Sequence, residues 1–171
     1  MSRAFMKEAD ESAGIENLPD LPQRDQPNYV TAEGLHALEE RVADLATRRR
    51  VLGSEDTLAS RQEMSIVERD LRYYEERVKR AICVEADHQP SDRVHFGATV
   101  RVCGDDGADQ VFRIVGEDEA DVAKGKISWT SPLAQALLNR SVGDVVVWRR
   151  PAGDKELEIL EITPLGPHRP A

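Results

Sequence analysis

The chain has 171 residues, of which 40% are hydrophobic and 32% are charged, and its formal net charge at pH 7 is −9. This length is sufficient for one ordinary domain or two small ones. The negative charge argues against sequence-independent binding of duplex DNA, which requires a basic surface that releases counterions, and against adsorption to anionic membranes.

Residues 1–28 are predicted to form a disordered acidic tail. They contain six acidic and three basic residues, include Pro19, Pro22 and Pro27, and show almost no periodic apolar pattern. Such a composition buries too little apolar surface to offset the entropy cost of ordering the chain.

Residues 29–86 are predicted to form an antiparallel coiled-coil hairpin. Two series of apolar residues recur mostly at alternating spacings of three and four, which is the pattern of a coiled-coil seam. The series are Leu35, Leu38, Val42, Leu45 and Leu52, and then Met64, Val67, Leu71, Tyr74, Val78 and Ala81. Thr31 is a suitable N-cap for the first helix, and Glu33 in its first turn favours the helix dipole. Arg49 interrupts the first seam close to the end of that helix.

The position of the turn between the two helices is left open by the sequence. Gly53 is a helix breaker, and Ser54 is then expected to cap the second helix, with Glu55 and Asp56 in its first turn. A turn at Gly53 makes the second helix longer than the first by several residues. A later turn, between Asp56 and Ser60, is therefore the alternative.

Residues 94–163 are predicted to form a second domain. Apolar and polar residues alternate from Val94 to Val102, which is the pattern of a half-buried strand. Ser131 and Pro132 are expected to start a short helix, because they are a good cap and a favoured first helical residue. The other expected strands are VFRIVG, 127–129, 144–148 and 156–162. A small antiparallel sheet covered by one short helix, together with a helical hairpin, gives an α+β fold.

The remaining segments carry no signature of targeting or metal binding. Residues 87–93 are expected to be a polar linker and residues 164–171 a flexible tail. The N-terminus lacks the apolar core of a secretory signal, and no apolar run approaches the roughly 20 residues of a membrane span. Neither cysteine lies in a Cys-x-x-Cys motif, and the four histidines show no metal-ligand spacing. We therefore expect a cytoplasmic protein without a metal site or membrane contact of its own.

Three segments between Val94 and Ile162 resemble the C-terminal domain of the bacterial Gre transcript-cleavage factors. They are IVGEDEAD, ISWTSPLA and VGD, in this order. The segment NYVTAEGLHALE, residues 28–39, resembles the same family moderately, whereas residues 40–85 share only its architecture. The resemblance implies an FKBP-like second domain that docks on bacterial RNA polymerase, and a hairpin that enters the secondary channel of the polymerase. We expect a monomer that is not itself an enzyme.

The family's docking loop matches Thr130, Ser131 and Pro132, so the resemblance implies that these residues contact the polymerase. The alternative for Ser131 and Pro132 is helix capping alone, and the two roles are compatible.

The hairpin tip is the place where the resemblance implies chemistry. In the Gre family, two acidic side chains help the polymerase hold a second Mg²⁺, which activates a water molecule that cuts the RNA. The tip of this chain, GSEDTLASRQEM, contains no Asp followed three residues later by Glu. Glu55 and Asp56 are the candidates for this role, but adjacent residues on a helix point about 100° apart. Their alternative role is favourable charge at a helix N-terminus.

Arg48, Arg49 and Arg50 precede the turn and are candidates for contact with RNA or the polymerase. The alternative is a solvated helix face, on which Arg49 extends its long side chain from the seam to the surface.

An acidic run in the second domain comprises Glu117, Asp118, Glu119 and Asp121. It lacks the spacing of an EF-hand, so a solvated loop is expected rather than a metal site.

Three functions are compatible with these features. The first is an elongation factor that rescues backtracked polymerase by stimulating RNA cleavage, with the hairpin tip close to the RNA 3′ end. The second is a channel-binding regulator that stimulates no cleavage and competes with active cleavage factors. The third, prolyl isomerisation, rests on fold analogy alone. The altered tip, and a hairpin shorter than the family's, predict cleavage stimulation that is weak or absent. No cofactor of its own is expected, and the one candidate is a Mg²⁺ shared in the polymerase active site.

Overall fold

The computed structural model describes residues 18–85 and 92–166. These residues divide into two compact units. Unit 1 comprises residues 18–25 and 40–76, and unit 2 comprises residues 26–39, 77–85 and 92–166. Most of the predicted tail, most of the predicted linker and residues 167–171 lie outside the described residues.

Two long helices form the predicted hairpin, α1 (Ala32–Leu52) and α2 (Leu58–Lys79). In unit 1 their seam buries Leu45 and Leu52 against Val67 and Leu71. These four residues belong to the two predicted heptad series, so the three-and-four spacing of apolar residues predicted the packed face correctly. Arg49 lies on the same seam but is exposed, because a long cationic side chain extends to water near the open end of a hairpin.

Unit 2 contains a two-stranded ladder that the sequence did not predict. β1 (Asn28–Val30) pairs in parallel with β2 (Ala81–Cys83), and Asn28 lies opposite Ala81. The predicted hairpin, 29–86, is therefore wrong at residues 29–30 and 81–83, where the chain is extended rather than helical. Each strand has only three residues and adjoins a helix, so neither is long enough to display the two-residue period of a strand.

The larger sheet of unit 2 has five strands in the order β5-β4-β3-β7-β6. The strands are β3 (Thr99–Gly104), β4 (Asp109–Val115), β5 (Lys126–Ser128), β6 (Val145–Trp148) and β7 (Lys155–Thr163). Neighbouring strands are antiparallel except for β4 and β5, which are parallel. The predicted antiparallel sheet is thus mixed. The long connection between β4 and β5 permits this, because a parallel pair needs a crossover and not a tight hairpin.

One short helix, α3 (Pro132–Leu137), packs its apolar side on this sheet as predicted. The core consists of inward-facing residues of the strands, of Val94 before β3, and of Leu133, Ala134 and Leu137 from the helix. The fold is α+β, with a helical hairpin followed by a sheet domain. No helix within the described ranges is long and apolar enough to cross a membrane.

Candidate functional site

The tip of the hairpin is a five-residue turn, 53–57, that is closed by its own polar groups. The Thr57 hydroxyl accepts a hydrogen bond from the amide of Ser60 at 3.0 Å, and the Thr57 amide donates to the Ser60 hydroxyl at 3.0 Å. This reciprocal pair caps α2 at Thr57. The predicted cap, Ser54, is wrong: its hydroxyl donates to the carbonyl of Val51 at 2.6 Å and so closes the end of α1.

Glu55 and Asp56 lie in this turn and not in the first turn of α2 as predicted. Their side chains are therefore not separated by the fixed angle that a helix imposes on neighbours. Asp56 forms an ion pair with Arg61, in which the side chains are 86% and 67% exposed. Exposed pairs of this kind contribute little free energy, so Asp56 can exchange Arg61 for another cation at small cost.

The three arginines before the turn are in different situations. Arg48 forms a bidentate pair with Glu63 of α2, with both nitrogen–oxygen distances at 2.7 Å. The hydrogen bond to Arg48 lowers the pKa of the Glu63 carboxyl, and the same bond raises the pKa of Arg48. Arg49 and Arg50 are exposed, and neither forms an ion pair with any residue in the described ranges. Arg49 and Arg50, rather than Arg48, are therefore available to an external anion.

The loop formed by Thr130, Ser131 and Pro132, here the docking loop, connects β5 to α3 in unit 2. The Ser131 hydroxyl accepts a hydrogen bond from the amide of Ala134 at 3.2 Å, and Pro132 is the first residue of the helix. The Thr130 hydroxyl lies 2.8 Å from the hydroxyl of Ser128. Pro132 is exposed while its backbone is fixed by the cap, so the loop presents a preformed apolar surface.

The sequence predicted that the acidic run is a solvated loop, and this prediction is wrong. Glu117, Asp118 and Glu119 form a single 3-10 turn between β4 and β5, here the acidic turn. Asp118 binds Arg77 at the end of α2. Its Oδ2 lies 2.7 Å from Nε and 2.6 Å from a terminal guanidinium nitrogen of Arg77. The side chain of Arg77 is only 3% exposed, and Glu117 places a second carboxylate 3.5 Å from it. Sequence reasoning missed Arg77, because one arginine among many charged helical residues carries no signal of burial.

Glu119 anchors the start of α1. Its carboxylate accepts hydrogen bonds from the amide of Thr31, at 2.9 Å, and from the Thr31 hydroxyl. Thr31 itself accepts from the amide of Gly34 at 3.0 Å, which is the predicted N-cap. A Cβ at Gly34 would lie 2.0 Å from the carboxyl carbon of Glu119, so a glycine is required for this close approach.

Asp121 alone fits the expectation of a solvated acid. It pairs with Lys124 at 2.9 Å, and this hydrogen bond lowers the pKa of Asp121 and raises that of Lys124. In the part of the chain that the structure describes, no three acidic, histidine or cysteine side chains form a group that could hold a metal ion.

Comparison with known proteins points to one family. A family model described as "Transcription elongation factor, GreA/GreB, C-term" matches residues 89–164. The transcription elongation factor GreB of Neisseria meningitidis serogroup B is 36% identical over 151 residues, which cover 79% of this chain and 93% of the relative. The transcription elongation factor GreA of Shouchella clausii is 33% identical over 154 residues, which cover 81% and 98%. A solved structure described as "Structure of the transcription factor Gfh1" aligns with 24% identity and a TM-score of 0.39, covering 81% of this chain and 99% of that one.

Proposed function

The chain belongs to the GreA/GreB family of transcription elongation factors, and we propose that it acts on bacterial RNA polymerase in the cytoplasm, as a monomer. The observation that carries this proposal is the extent of the match. The alignment with the Neisseria relative covers 93% of that protein, so it cannot be confined to the sheet domain. In this proposal the sheet domain docks on the polymerase, and the hairpin enters its secondary channel.

The docking loop is the proposed contact of the sheet domain. Its support is geometric, because Pro132 is exposed and the cap at Ser131 holds the loop in one conformation. A preformed loop loses little conformational entropy when it binds, so a small exposed surface contributes efficiently to affinity. Pro132→Ala should weaken binding for this reason.

The tip is proposed to lie close to the RNA 3′ end in the polymerase active site. Arg49 and Arg50 supply two exposed cations near the turn, which suits contact with phosphate. Glu55 and Asp56 supply carboxylate oxygens, the ligand type that Mg²⁺ prefers. The polymerase remains the enzyme in this proposal, and the only cofactor is a Mg²⁺ that the two proteins share. That ion, when bound, would activate a water molecule for attack on the RNA.

We propose that the tip stimulates cleavage only weakly. The two candidate carboxylates are adjacent in an exposed turn, and Asp56 is paired with Arg61. Neither feature holds the acids in advance at the positions of metal ligands, and such preorganisation accounts for much of the efficiency of a catalytic site. The relatives from Neisseria meningitidis and Shouchella clausii are both named as transcription elongation factors, which favours an elongation factor over a regulator without any cleavage role.

The test is RNA shortening in backtracked polymerase complexes. Wild-type protein at saturating concentration should give shortening above the intrinsic rate of the polymerase but below that of a factor with the Asp-x-x-Glu spacing. The Glu55→Ala, Asp56→Ala double variant should bind equally well and lose this increment. Strong cleavage by the double variant would refute the assignment of these two acids.

A further inference from the structure

We infer that the acidic turn couples the docking loop to the roots of both hairpin helices, so that Glu117, Asp118 and Glu119 are positioning residues for the hairpin. The roots are residues 32–39 of α1 and 77–79 of α2, which belong to unit 2 and continue into the hairpin. The consequence for transcription rests on the proposed function, whereas the coupling itself rests on contacts within unit 2.

Three successive carboxylates of the acidic turn bind three different elements. Glu117 accepts a hydrogen bond from the Thr130 hydroxyl of the docking loop at 3.3 Å. Asp118 binds Arg77 in the root of α2, and Glu119 binds the N-cap of α1 at Thr31. A 3-10 turn has three residues per turn, so its consecutive side chains point about 120° apart. One short turn can therefore reach a loop and two helix roots at the same time.

The bonds to the helix roots are difficult to break. The guanidinium of Arg77 is almost completely buried, so moving it away from Asp118 and Glu117 would leave a desolvated charge without a partner. Glu119 places a negative charge at the N-terminus of α1 and satisfies backbone and hydroxyl donors there. The helix roots therefore follow the acidic turn when it moves.

A second contact connects the docking loop to the start of α1. The rings of Trp129 and Tyr29 pack edge to face with their centroids 5.2 Å apart. Trp129 immediately precedes the docking loop, and Tyr29 lies in β1, two residues before the N-cap of α1. A displacement of the docking loop on binding is thus transmitted to the hairpin roots in two ways, through the hydrogen bond of Thr130 with the acidic turn and through the ring contact of Trp129 with Tyr29.

The coupling can be measured in the free protein with a matched pair of variants. Thr130→Val removes the hydroxyl that binds Glu117 and keeps the shape of the side chain, whereas Thr130→Ser keeps the hydroxyl. We expect Thr130→Val to accelerate hydrogen exchange of the Val78 and Lys79 amides by about threefold or more, and Thr130→Ser to stay close to wild type. Arg101→Gln, which breaks the exposed ion pairs of Arg101 with Asp109 and Glu161, is the control and should leave these amides unchanged. Unchanged exchange in Thr130→Val would overturn the inference.

The consequence for positioning is measured with the full-length chain and RNA polymerase. A photo-crosslinker at Ser54, in the turn, reports the placement of the tip in the complex. We expect Glu117→Gln to lower the crosslink yield at saturating concentration by about threefold, with a smaller change in apparent affinity. An unchanged yield at saturation would refute the positioning role. If the wild-type chain fails to bind polymerase, the proposed function is wrong, and the exchange measurement alone still decides whether the coupling exists.

Discussion

Truncation of Leu71 to alanine is a stringent test of the hairpin. Leu71 is 2% exposed and belongs to the cluster of four buried residues that hold α1 and α2 together in unit 1. Leu71→Ala removes three carbon groups from a buried site, which corresponds to about 2.4 kcal/mol of transfer free energy at ~0.8 kcal/mol for each group. The cavity that remains adds to this, so we expect a loss of about 2–5 kcal/mol.

The measurement is denaturant unfolding followed by the helical circular dichroism signal, which arises mainly from α1 and α2. Ile66→Ala is the matched control, because Ile66 lies on the same helix but is 45% exposed. It should cost about 0.5 kcal/mol or less. If Leu71→Ala costs no more than Ile66→Ala, the two helices are not packed along the predicted seam.

Three further predictions follow from the docking loop, the acidic turn and the tip. Pro132→Ala should weaken polymerase binding several-fold without changing the helical signal, and equal affinity in a competition assay would remove this residue from the interface. Arg77→Met should lower the free energy of unfolding by about 3 kcal/mol, because it leaves two carboxylates without their buried partner; a loss below about 1 kcal/mol would contradict the burial of this pair. Glu55→Ala with Asp56→Ala should leave thermal stability within a degree or two of wild type, since both acids lie in the exposed turn. A large fall in melting temperature would show that these acids are structural.

The elements that the sequence predicted well are those in which an apolar repeat continues over several helical turns, or in which a helix carries a local cap. The heptad spacing predicts Leu45, Leu52, Val67 and Leu71 as the seam, because a coiled coil repeats the same apolar pattern over several turns. The cap at Ser131 was also predictable, since it needs only a serine followed by proline at the start of an apolar helix face.

The features that the sequence did not reveal depend on contacts between distant segments. Arg77 is buried because Asp118 and Glu117 lie across from it, 40 residues or more along the chain. No local pattern separates this arginine from its exposed neighbours in α2. The acidic turn was predicted to be solvated for the same reason, because its partners come from α1, α2 and the docking loop. At the tip, Thr57 rather than Ser54 caps α2, because Ser60 forms reciprocal hydrogen bonds with Thr57 only.

If the hairpin occupies the secondary channel of RNA polymerase, this chain must compete with other factors that bind there. The most direct measurement is displacement of a labelled, active cleavage factor from polymerase by increasing concentrations of this chain. We expect complete displacement by wild-type protein, and displacement by Pro132→Ala only at several-fold higher concentration. A labelled factor that remains bound and active at saturating concentrations of this chain would show that the hairpin does not occupy the channel.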